Sequence, residues 1–222
     1  MTGSMTDLEF TVVDIFPEHY AAAPQLTVRL RIEECSGAVV HAMALRCQVK
    51  IEAQRRSYSA EDELGLLDLF GWRDRWQDTL RPFLWMQAQA LVQGFTGVTE
   101  VDLALPCTYD FDVTGSKYLH ALRDGVVPVR LLFTGTVFTK GITGFGVEQV
   151  PWDREAAYDL PVAAWREMMD QYFPSTGWLR LDHDTMRELA HFRATQGLTT
   201  WEETFAALLQ RSGLSASGEG VP

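Results

Sequence analysis

Hydrophobic and polar residues alternate most clearly in residues 25–33, where Leu26, Val28, Leu30 and Ile32 take turns with Thr27, Arg29, Arg31 and Glu33. A period of two is the mark of a strand with one buried and one wet face. Residues 8–15, LEFTVVDI, form a shorter apolar strand before it, and Pro17 and Pro24 bracket the loop between them. After the turn signal Ser36-Gly37 a long strand runs from residue 39 to about residue 53. Its odd positions, from Val39 and His41 through Met43, Leu45, Cys47 and Val49 to Ile51, form the inner face, with Arg46, Gln48, Lys50 and Glu52 facing water. His41 is therefore expected to be buried and hydrogen-bonded. Two amphipathic strands joined by a short turn predict an antiparallel hairpin.

Helical spacing follows over residues 61–70 and 72–80, and a third helix opens at Pro82, where proline suits the first turn. From Phe83 to Val92 the apolar residues go nearly all the way round, broken only by Gln87 and Gln89, so this helix should be covered on several sides. Gly94 and Gly97 stop it. Residues 98–105 and 108–113 read as strands flanking Pro106, and residues 114–122 as a helix. A long strand at 126–139 is followed by a glycine turn at 141–146 and a returning strand at 145–150. From residue 151 only helices are expected, at 161–173, 182–195 and 199–211. The last opens on Thr199-Thr200-Trp201-Glu202-Glu203, a hydroxyl with an acid three residues on. The pattern predicts an α+β fold: an antiparallel β-sheet with helices packed on one face in residues 1–150, a C-terminal helical extension at 151–211 and a disordered tail at 212–222.

Composition narrows the function classes. With 30 acidic against 19 basic residues and a formal charge of -11, the chain lacks the basic patch that phosphate binding requires, so no nucleic-acid partner is expected. A hydrophobic content of 46% excludes disorder over most of the length. The longest uncharged run, residues 82–99, contains three Gln and two Gly, which suits a buried segment rather than a membrane span. The start, MTGSMTDLEF, has neither the basic residues nor the apolar stretch of a signal peptide, and Cys35, Cys47 and Cys107 have no C-x-x-C spacing. Both features predict a cytoplasmic protein with reduced thiols, without a disulfide frame or a metal cluster.

No catalytic motif stands above background. Glu188-Leu-Ala-His191, with Asp184 one turn earlier, has metal-like helical spacing, yet carboxylate-bridged di-iron bundles use two such motifs, and a salt-bridged helix surface through Arg187 is the favoured reading. Asp110 and Asp112 alternate with aromatics and could pair on one strand face for acid–base work, against the simpler reading of an exposed face. The glycine cluster Gly141, Gly144 and Gly146 lacks both the phosphate-loop and the dinucleotide spacing, so it reads as a hairpin turn. Aromatics are more telling: all seven Trp lie from residue 72 onward, and Trp72, Trp76, Phe83 and Trp85 fall in or beside the central helices. Such residues dominate cores and also protein interfaces, which makes these four the binding candidates.

The strings RPFLW (81–85), GFTGVTEVDLALPCTYDFDV (94–113), LFTGTVF (132–138) and VPWDRE (150–155) resemble an uncharacterised actinobacterial family often encoded beside [NiFe]-hydrogenase genes. Residues 8–113 also resemble the SecB export chaperone: Pro82-Phe83 open a helix, Gly94 and Gly97 end it, and Leu103-Ala-Leu105-Pro106 and Phe111 follow. A further strand pair and three C-terminal helices have no counterpart in SecB. The first resemblance implies an accessory role. Together with the absence of a catalytic constellation and the surplus of aromatics, it makes a non-catalytic accessory or chaperone-like protein the preferred expectation, with no cofactor, with protein partners such as hydrogenase subunits or maturation factors, and with a homo-oligomer also open. Two other expectations stand beside it: an enzyme, metal-dependent through Asp184, Glu188 and His191 or using the Asp110/Asp112 pair, or a structural subunit of a larger complex.

Overall fold

The computed structural model describes residues 6–107, 113–141, 144–174, 179 and 181–213. The chain forms two compact units, residues 1–176 and 177–222. The fold is α+β with antiparallel sheets throughout.

Among the described residues the first unit contains all the strands: β1 (Leu8–Pro17), β2 (Gln25–Glu34), β3 (Val39–Ile51), β4 (Phe83–Thr96), β5 (Val98–Pro106), β6 (Val126–Gly141), β7 (Gly144–Gln149) and β8 (Glu155–Pro161). They make a three-stranded sheet in the order β1-β2-β5 and a five-stranded sheet in the order β4-β3-β6-β7. β8 completes the larger sheet by pairing Val126–Leu132 of β6, while β7 pairs Thr136–Gly141 further along the same strand. Alternation dictates how the sheets meet. Leu26, Val28, Leu30 and Ile32 of β2 and Met43, Leu45, Cys47, Val49 and Ile51 of β3 are all buried. Phe10 of β1 stacks on Phe133 of β6 with ring centroids 4.4 Å apart, which places the core between two facing sheets. The chain crosses from one sheet to the other between β4 and β5 at the single residue Gly97, whose φ of 73° suits glycine. Of the glycine turn expected at 141–146, Gly144 and Gly146 belong to β7, which pairs with β6 as far as Gly141↔Gly144, and residues 142–143 lie outside the described residues.

Four expectations are corrected. β2 and β3 do not pair as a hairpin, because β2 pairs with β1 and β5 in the smaller sheet and β3 with β4 and β6 in the larger one. The third helix is strand β4. Met86, Ala88, Ala90 and Val92 lie on one face and Gln87, Gln89, Leu91 and Gln93 on the other, each paired with β3. Only the quartet Phe83-Leu84-Trp85-Met86 breaks the alternation, and there β3 pairs Lys50 with Leu84 but Val49 with Met86. Trp85 is the extra residue of a β-bulge, so the apolar run is a kinked strand and not an all-round helix. His41 is exposed instead of buried, because a second bulge between Val40 and Ala42 turns Val40 inward, at 1% exposure, and Val39 and His41 outward. The fourth correction is β8, a strand within the region expected to hold helices only.

Short helices cover one end of this unit: α1 (Ala60–Gly65), α2 (Leu67–Phe70) and α3 (Trp76–Thr79) between β3 and β4, α4 (Thr114–Ala121) after β5, and α5 (Val162–Tyr172) after β8. The second unit holds α6 (His183–Thr195) and α7 (Trp201–Arg211). Thr200 and Glu203 form the expected capping box at the start of α7, and Asp182 caps α6 by accepting from the backbone N–H groups of Asp184 and Thr185. Arg193 lies over the Trp201 ring and Arg211 over Phe192, tying the two helices together. No helix among the described residues is long and apolar enough to cross a membrane.

Candidate functional site

Three of the four aromatic candidates are built into a packed cap at one end of the sheets. Tyr118 of α4 is fully buried, with the rings of Tyr58, Phe70 and Phe83 edge-on around it at 6.4, 6.2 and 5.6 Å. Trp76 packs edge-on to Tyr58 at 5.0 Å, is 9% exposed, and donates its indole N–H to the Gly71 carbonyl at 3.0 Å. Such edge-to-face geometry adds to the burial of each ring. The Tyr58 hydroxyl donates to the Ala53 carbonyl at 2.6 Å and lies 2.7 Å from the Tyr118 hydroxyl. With the Tyr58 proton committed to Ala53, Tyr118 donates to Tyr58. Burial pushes both phenols above their ordinary range.

A buried ion pair closes this cap from below. Ser59 and Asp62 form a capping box at the start of α1, and Asp62 also accepts the backbone N–H of Arg123 at 3.0 Å. The Arg56 guanidinium, almost fully enclosed, reaches Asp62 at 3.5 Å and donates to the carbonyls of Asp124 at 2.7 Å and Val126 at 3.0 Å. Burial alone would raise the Asp62 carboxyl. The N–H groups of Ser59 and Arg123, the Ser59 side chain and the Arg56 charge outweigh it and hold the carboxyl below its ordinary range.

The bulge aims Trp85 at α4 and α5, where it meets Trp165 edge-on at 6.2 Å. Gly115 makes this possible, since a Cβ there would lie 2.4 Å from the Trp85 ring. Beside Trp165 is a cleft of about 210 Å³ lined by His120, Arg166, Met169 and Phe173 among others. Burial and the Arg166 charge lower the His120 pKa.

Trp72 differs from its companions. It is 68% exposed, directly after the turn at Gly71, and Leu64 at the end of α1 is 64% exposed. An ion pair between Glu63 and Arg73 brings the two neighbourhoods together, and Arg73 lies over the Trp76 ring at 5.8 Å. Trp72 and Leu64 are thus large exposed apolar side chains in the segments next to the aromatic cap. Sequence reasoning named Trp72 but missed Leu64. It also missed Tyr58, Tyr118 and the Arg56–Asp62 pair, although Ser59-Ala-Glu-Asp62 carries the capping-box spacing.

The other candidates do not converge. Asp184 pairs with Arg187 on an exposed face of α6, and Glu188 and His191 are exposed on the same helix. Among the described residues no three His, Cys, Asp or Glu side chains are grouped to hold a metal ion. Asp110 and Asp112 lie outside the described residues. Glu52 sits between Arg55 at 2.8 Å and Arg130 at 2.9 Å, and Arg130 also pairs with Glu155. Burial acts to raise the Glu52 pKa, but these arginines bring it below the usual carboxylate range.

The model of the family of unknown function DUF6084 matches residues 5–217, nearly the whole chain. The chain belongs to this family. No curated protein matches it. Among solved structures it is similar to the CARDB domain of a Pyrococcus furiosus protein in complex with di-metal ions, at 9% identity and a TM-score of 0.28, over 72% of this chain and 96% of that one. It is also similar to β-glucosidase 3B from Thermotoga neapolitana in complex with α-D-glucose, at 14% identity and a TM-score of 0.27, over 69% of this chain and 17% of that one. A β-glucosidase from Kluyveromyces marxianus matches at 10% identity and a TM-score of 0.25, over 69% of this chain and 15% of that one. At these TM-scores the likenesses carry no argument about function.

Proposed function

We propose that this DUF6084 protein is a non-catalytic, chaperone-like accessory protein that binds a protein partner in the cytoplasm and assists assembly of a redox enzyme complex such as a [NiFe]-hydrogenase. The observation that carries the binding half of this reading is the exposure of Trp72 and of Leu64 in the segments next to the packed aromatic cap. With two χ angles, a Trp loses little side-chain entropy on docking, and Trp is enriched among residues that dominate binding energy. The redox-assembly half rests on the resemblance of RPFLW, LFTGTVF and VPWDRE to the hydrogenase-associated family.

The test is affinity purification of the tagged protein from its native host, with Trp72→Ala in parallel. Enrichment of a hydrogenase subunit or maturation factor with the wild type, reduced about 30-fold or more in affinity by a hot-spot loss of ~2 kcal/mol in the variant, is the expected result. If neither kind of protein is enriched over an untagged control, the assembly reading fails. Equal recovery by wild type and Trp72→Ala refutes the assignment of the surface.

A further inference from the structure

Strand edges present unpaired N–H and C=O groups, and proteins blunt them with charges, proline, bulges or short length. Four of the strands at the borders of the two sheets follow this rule. β1 carries Glu9 and Asp14, a register shift between Val12 and Asp14, and a terminal proline. β5 carries Glu100 and Asp102 and ends at Pro106, β7 is only six residues long, and β8 carries Glu155 and Asp159 and ends at Pro161. β4 breaks it. It is 14 residues long, pairs among the described residues only with β3, and contains no Asp, Glu, Lys, Arg, His or Pro. Its one irregularity, the Trp85 bulge, lies near its start, which leaves the run from Met86 to Gln93 regular. Among the described residues, no backbone hydrogen bond outside the β3–β4 ladder involves this run. Leu91 on its outer face is 74% exposed, and Met86 and Ala90 on the inner face are only partly buried where β3 is fully buried.

From this edge we infer that the protein forms a two-fold symmetric dimer in which β4 pairs antiparallel with β4 of a second copy, joining the two five-stranded sheets into one. Charge selects a second copy as the occupant. Each chain carries a net charge of -11, so identical chains repel wherever carboxylates line the contact, and the border strands β1, β5, β7 and β8 all bear them. The uncharged edge is where like-charged copies can meet, and it offers no charge to attract an oppositely charged partner. The strand is also complementary to itself. With the two-fold axis at Ala88, Gln87 stands opposite Gln89 of the other copy on the outer face, and Met86 stands opposite Ala90 on the inner face. Amide meets amide and large meets small, as an isologous contact requires. Pairing would satisfy the outward backbone groups and complete the burial of Met86 and Ala90.

This inference is independent of the Trp72 surface, which lies outside β4. The test is the mass of the full chain in solution by sedimentation velocity and light scattering at micromolar concentrations. The wild type is expected at twice 25.0 kDa. Gln87→Lys with Gln89→Lys, both on the exposed outer face, should shift it to a single-chain mass with an unchanged circular dichroism spectrum. Gln87→Glu with Gln89→Glu should do the same, and mixing the two double variants should restore the double mass as a heterodimer. A monomeric wild type overturns the proposal, and so does a dimer that survives either double variant or a mixture that stays monomeric.

Discussion

Replacing Asp62 by alanine removes three things at once: the carboxylate of the α1 capping box, the acceptor for the Arg123 backbone N–H and the charge facing Arg56. The enclosed guanidinium keeps its bonds to the Asp124 and Val126 carbonyls but loses its counter-charge. Breaking a buried pair from one side costs about 3–5 kcal/mol and a lost helix cap about 1 kcal/mol, and part of the first is recovered as water reaches Arg56. A net loss of about 4 kcal/mol is expected, a large share of the ~5–15 kcal/mol typical of a folded protein. With a urea slope of about 2 kcal/mol/M, the midpoint at pH 7 should fall by about 2 M. Asp62→Asn keeps the volume and an acceptor oxygen, so it should cost about half as much. The sign with pH follows from the depressed carboxyl pKa. A carboxylate held below its unfolded value of about 3.9 contributes its stability above that pH and loses it as the pH falls through the folded value. The gap between wild type and Asp62→Ala should therefore stay constant from neutral to about pH 5 and narrow below about pH 4. A loss under about 1 kcal/mol at pH 7, or a gap that does not narrow in acid, would refute the account of this network.

Trp76→Ala should destabilise the protein by about 3–5 kcal/mol in the same urea assay, because it empties the cap, while Trp72→Ala should change stability by no more than about 0.5 kcal/mol. Thiol labelling at pH 8 followed by mass spectrometry should modify Cys35 alone in the native state. Cys47 and Cys107 are buried, and burial pushes their thiols up to about 12, so both should react only after unfolding.

The strands with uninterrupted alternation, β2 and most of β3, were legible because one face of each is buried against the facing sheet. The α7 capping box was legible because it is a local hydrogen-bond pattern. β4 was not, since a bulge places two consecutive large residues toward the interior and disguises a period of two as an all-round apolar helix. His41 was misplaced for the same reason, one bulge shifting its end of β3 by a residue. β8 alternates Ala156, Tyr158 and Leu160 with Glu155, Ala157 and Asp159, but its alanines weaken the contrast and a helix follows without a break. The four aromatics are close in sequence and alike in chemistry. Their division into three packed rings and one exposed Trp depends on Tyr58, Tyr118 and Trp165, which come from distant parts of the chain.

The proposed role of the Trp72 surface is to receive a redox-enzyme partner. A photo-crosslinking phenylalanine analogue at position 72, irradiated in the native host, tests it most directly, with the same analogue at Tyr20, 97% exposed, as control. An adduct with a hydrogenase subunit or maturation factor from position 72 and not from position 20 is the predicted result. The same adducts from both positions, or none of that kind from position 72, would contradict it.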